Sequence, residues 1–71
     1  MGARIVSFIL ADNPPPRLDK ALSRDVPESA ALSRTRLARL IGDGAVAVDG
    51  QVVTDPRARV AGGADITITG R

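Results

Sequence analysis

The sequence predicts a small α+β domain, with two short helices packed on a mainly antiparallel sheet. Three observations carry this. Leu18, Ala21 and Leu22, and again Leu37, Leu40 and Ile41, recur at helical spacing and give two separate amphipathic segments. Asp49-Gly50, set between Val46/Val48 and Val52/Val53, fits the two-residue type I′ turn of a β-hairpin. The ends of the chain read as strands, with a β-branched run before the first helix and Ile66 and Ile68 alternating with Thr67 and Thr69 at the close. At 71 residues the chain makes one domain (1–71) with a small core, near the size where a lone domain is only marginally stable.

The segment from Arg4 to Leu10 is rich in apolar and β-branched residues and is expected to form the first strand. Asp12-Asn13 followed by Pro14, Pro15 and Pro16 ends it, because proline fits neither a helix interior nor a sheet centre; Pro16 is expected to lead into the next helix. The first helix is predicted from Arg17 to about Val26. On it Arg17, Lys20 and Arg24 fall in one arc opposite the apolar stripe, with Asp19 and Asp25 as neighbouring counter-charges. Val26 to Leu32 links the helices. Ser33 is a suitable N-cap for the second, its hydroxyl accepting from an early N–H that has no helical partner. Arg36 and Arg39 point away from the apolar face and Arg34 lies at its edge. Gly44 suits the left-handed residue that ends a helix. After the hairpin Thr54-Asp55-Pro56 is a turn, and Arg57 and Arg59 are expected to alternate outward on the sheet side. A Gly62-Gly63 turn then precedes the last strand.

Composition narrows the chemistry. With no cysteine and no histidine, disulfides, the usual Cys/His zinc sites and histidine acid–base catalysis are excluded, and no cofactor is expected. No apolar run reaches membrane-spanning length, so a soluble cytoplasmic protein is the expectation. Net charge is only +2, a weak argument for nucleic acid by itself. Its placement says more: six of the ten cations lie between Arg17 and Arg39, and nine of the ten are Arg, whose planar fork suits phosphate. Eleven alanines fit a genome that favours Arg and Ala codons, so Arg content alone counts for little. Phe8, the one aromatic residue, sits in an apolar strand and is expected to be core. The composition thus disfavours readers that stack single-stranded bases on exposed rings; for an RNA partner it would leave folded or duplex RNA, met through phosphates and 2′-hydroxyls.

The stretch SRTRLARLIGDGAVAVDGQVV, Ser33 to Val53, resembles the signature of the S-four-type RNA-binding domain, named after a small-subunit ribosomal protein. RLDKAL (Arg17 to Leu22) is similar to that family's first helix, and VAGGADITI (Val60 to Ile68) to its closing turn and strand. Together these cover about three quarters of the chain, with residues 17–53 as the helix–helix–hairpin core. The lead-in RIVSFILADNPPP and the Gly62-Gly63 turn resemble most the N-terminal domain of ribosomal large-subunit pseudouridine synthases. The resemblance implies contacts to structured ribosomal RNA by Arg17, Lys20, Ser33, Arg34, Arg36 and Arg39; the cationic arc of the first helix adds Arg24, and the backbone N–H groups at the second helix's start offer an anion site beside Ser33, Arg34 and Thr35. At the hairpin tip Asp49-Gly50-Gln51 stands where relatives often have Asn-Gly-Lys, which removes a cation and adds an anion.

Resembling synthases carry a catalytic Asp in a His-Arg-Leu-Asp motif followed by Thr-Ser-Gly. Here Arg17-Leu18-Asp19 is preceded by Pro16 and followed by Lys20-Ala21-Leu22, so Asp19 reads as a structural or ion-paired residue. The chain alone is expected to have no catalytic residue, to be monomeric, to bind no membrane, and to be the RNA-docking domain of a larger pseudouridine synthase. The alternatives are a free-standing ribosome-associated RNA-binding protein and, less favoured, a helix-turn-helix DNA-binding module.

Overall fold

A computed structural model of the chain describes residues 4–70. The elements are β1 (Arg4–Ile9), α1 (Leu18–Asp25), a 3-10 turn (Glu28–Ala30), α2 (Arg34–Gly42), β2 (Val46–Val48), β3 (Gln51–Val52) and β4 (Asp65–Gly70). The sheet order is β1-β4-β2-β3 with every neighbouring pair antiparallel, and the helices cover one face. The expected α+β class is therefore observed.

Helices of eight and nine residues are marginal in isolation, so packing must hold them. Leu18, Ala21 and Leu22 of α1 and Leu37 and Ile41 of α2 are fully buried, together with Val46, Ile66 and Ile68 from the sheet. At about 1.5–3 kcal/mol for each large aliphatic side chain removed from water, this shared core outweighs the intrinsic helix preference of either segment. Val6, Phe8 and Leu40 pack against it from the side. Phe8, expected in the core, is thus half-buried and packs against the core without belonging to it.

Local signals set the element ends. Ser33 caps α2, its Oγ accepting the Arg36 N–H at 3.2 Å. Past the other end Gly44 adopts φ +78°, the Gly44 N–H donates to the Ile41 carbonyl and the Ala45 N–H to the Leu40 carbonyl, each at 3.0 Å. That double bond pattern is the Schellman stop, and it turns the chain straight into β2. Asp49 and Gly50 both have positive φ, 51° and 83°, as a type I′ turn requires, and the register Val48↔Gln51 leaves a two-residue loop.

Three expectations change. Arg17 is not a helical residue but the extended N-cap of α1, so it does not share a helical arc with Lys20 and Arg24. Pro16 correspondingly lies one residue before the cap instead of opening the helix. Arg57 and Arg59 do not lie on a strand: residues 53–60 form an irregular segment, and the Pro56 carbonyl accepts the Asp19 N–H at 3.1 Å, which pins this segment to the first turn of α1. That bond satisfies one of the orphan donors of α1, whose cap residue offers no side-chain acceptor.

Candidate RNA-binding surface

The helical layer carries most of the cations, and their surroundings divide them into three groups. The first is built on Asp19, whose side chain is only 6% exposed. Its Oδ1 accepts the Lys20 N–H at 2.8 Å, which ties the carboxylate to the helix it belongs to. Arg17 donates Nε to Oδ1 at 3.2 Å and Nη2 to Oδ2 at 3.0 Å, a side-on fork. Arg34, the first residue of α2, brings its Nε to 4.0 Å from the same Oδ2. The starts of the two helices are thus joined through one buried anion, while Arg17 and Arg34 keep 40% and 53% of their side chains exposed. Lys20 stands exposed on the same turn of α1.

The second group is Arg36 and Arg39, both exposed. They wall an open groove with Ser33 and Thr35 on the helix side and Thr69 and Gly70 on the β4 side. Arg36 also borders a neighbouring aliphatic cleft lined by Val6, Leu32, Leu40 and Ile68. The groove offers two guanidiniums and two hydroxyl-bearing side chains along one helix, a donor set suited to phosphate and ribose oxygens.

Arg24 belongs to neither group. It donates Nε and Nη2 to Asp25, Nη1 to the Asn13 carbonyl at 2.7 Å and Nη2 to the Ala11 carbonyl at 3.2 Å. Asp25 in turn accepts the Ala11 N–H at 3.0 Å. The hydrogen bond from Arg24 is the main cause that holds the Asp25 carboxyl below its usual range, with the Ala11 N–H adding to it against the cost of burial. The guanidinium of Arg24 is committed to fastening the 11–13 turn to the end of α1, which leaves it the least available of the sequence-derived candidates.

The hairpin tip is likewise engaged internally. Asp49 accepts the Asp65 N–H on Oδ1 at 3.0 Å, and its own N–H donates to the Asp65 carbonyl at 2.8 Å. Asp49 therefore locks the tip to β4, and among the described residues of the tip, 49–51, and its partner Asp65 there are two carboxylates and no cation.

Sequence reasoning missed Arg34 as a partner of Asp19, and Thr69 and Gly70 as groove residues. Ion pairing of Asp19 was legible from the neighbouring Arg17, but the approach of Arg34 depends on how α1 meets α2, which helical periodicity does not specify.

The S4 domain family model matches residues 16–66. The chain therefore belongs to the S4 domain family, a class of RNA-binding domain. It is 46% identical over 52 residues to the ribosomal large subunit pseudouridine synthase D of Vibrio parahaemolyticus, and 48% identical over 52 residues to that of Vibrio vulnificus. In both cases the match covers 73% of this chain and 15% of the relative, so the aligned part is a small fraction of each synthase. Among the described residues no helix is long and apolar enough to cross a membrane.

Proposed function

We propose that the chain, as a single domain over 1–71, docks structured ribosomal RNA on its helical layer and serves as the RNA-docking domain of a large-subunit pseudouridine synthase. The observation that carries this reading is the separation of charge. Arg17, Lys20, Arg34, Arg36 and Arg39 stand on the two helices and their caps. The opposite face of the sheet, formed by Ile5, Ser7, Ile9, Ala47, Val52, Asp65, Thr67 and Thr69, carries one carboxylate and no cation among the described residues. The similarity to two pseudouridine synthases supports the parent activity. The single aromatic ring, half-buried against the core, supports phosphate and ribose contacts over base stacking. Ser33 contributes mainly as the α2 cap and Arg24 mainly as a fastener, so the contacts fall chiefly to the other five.

A salt titration tests the docking. With roughly four to six phosphates contacted, the log of RNA affinity should fall against the log of salt concentration with a slope of magnitude about 3–5. Binding indifferent to salt, or tighter to unstructured single strands than to hairpins, would contradict the reading.

A further inference from the structure

We propose that Asp19, which as a buried anion is no partner for a phosphate itself, is a positioning residue that holds Arg17 and Arg34 ready for phosphodiester oxygens of the bound RNA. The proposal rests on the helical layer being the RNA surface.

Three facts converge on Asp19. It is the one charged or polar residue in the buried set of the described chain, at 4% exposure. A buried carboxylate must be paired, and here its partners are two arginines from the entries of different helices. Arg17 is hydrogen-bonded through Nε and Nη2, and Arg34 approaches the same carboxylate with Nε at 4.0 Å, an ion-pair contact; the two side chains stay 40% and 53% exposed. Arginine carries a large rotamer entropy, and a side chain already held in place loses less of it on binding. Two guanidiniums against one carboxylate still leave a local positive charge, so the pair attracts phosphate while Asp19 fixes its direction.

The plainer alternative is that Asp19 serves only the helix start, through the Lys20 N–H. Asp19→Asn separates the two, because the amide oxygen can still accept that N–H while the charge is lost. The variant has one more unit of positive charge, so a simple charge effect would tighten RNA binding. The positioning role predicts the reverse: several-fold weaker binding to an RNA hairpin at fixed salt, and a salt slope smaller in magnitude by about 1–2. In an Arg17→Ala/Arg34→Ala background the same substitution should cost nothing. Equal losses in both backgrounds, or tighter binding in the first, would overturn the proposal. Arg17→Lys/Arg34→Lys is a second arm that leaves Asp19 and the core in place and keeps net charge, but it lacks the fork. It should lose affinity, and unchanged affinity would overturn the proposal even if Asp19→Asn fails to fold. Should Arg17→Ala/Arg34→Ala bind normally while Arg36→Gln/Arg39→Gln does not, the positioning role falls and the helical surface stands. If neither pair matters, the docking reading itself falls.

Discussion

Gly62 shows how little room single residues have in a domain this small. A Cβ built there would lie 2.9 Å from Asp12 Cα and 3.3 Å from the Ala11 carbonyl oxygen, both backbone atoms. The loop it would strike has no easy retreat, since the Gly63 N–H donates to the Leu10 carbonyl and Arg24 grips the carbonyls of Ala11 and Asn13. Gly62→Ala should therefore cost about 1–3 kcal/mol of stability in a denaturant titration, the usual range for overpacking. Unchanged stability would show that the 11–13 turn shifts freely. Arg24 makes the complementary point: the sequence marks it as a surface cation, and only tertiary contact with a turn 11 residues away reveals its commitment.

The elements themselves were largely legible. Ser33, Gly44 and Asp49-Gly50 each encode their own boundary through short-range geometry, and α1 and β1 fall within a residue or so of the expected spans. The order of the strands was not, because β4 enters between β1 and β2 through pairings such as Val6↔Ile68 and Val46↔Ile68 that no local pattern specifies. The course of residues 53–60 was hidden for the same reason, as it depends on the Pro56 carbonyl reaching Asp19. At the end of α1 the Arg24–Asp25 clasp makes a prediction in pH. The Asp25 carboxyl is held below its ordinary value of 3.8, chiefly by Arg24, so the folded state binds its proton less readily than the unfolded chain. Its stabilisation is fully present above the unfolded value and is lost as pH falls through the folded one. Asp25→Asn should accordingly lower the Tm at neutral pH, with the gap to the parent chain closing below pH 3.8. A gap that persists undiminished into stronger acid would show that Asp25 contributes through packing and not through charge.

Across the described residues, the division between a cationic helical layer and an outer sheet face that carries no cation is what the account rests on. That outer face holds the most exposed large aliphatic residues, Ile5, Val52 and Ile9 at 67%, 63% and 61%, and among the described residues offers no cation to pair with phosphate. Net charge is too small for non-specific attraction alone to carry the proposed docking, so placement has to matter. Arg57 and Arg59 make poor controls, because their segment is pinned to α1 close to Arg17. A better comparison sets Arg36→Gln/Arg39→Gln against Ser7→Glu/Val52→Glu. Each pair lowers the net charge by two, the first by removing two cations and the second by adding two anions, and all four side chains are exposed in the parent chain. Affinity for one structured ribosomal RNA fragment, measured for both variants at the same salt concentration and with unchanged circular dichroism, is the most direct test. The account predicts a large loss for the helix pair and a small one for the sheet pair; equal losses, or a greater loss from the sheet, would contradict it.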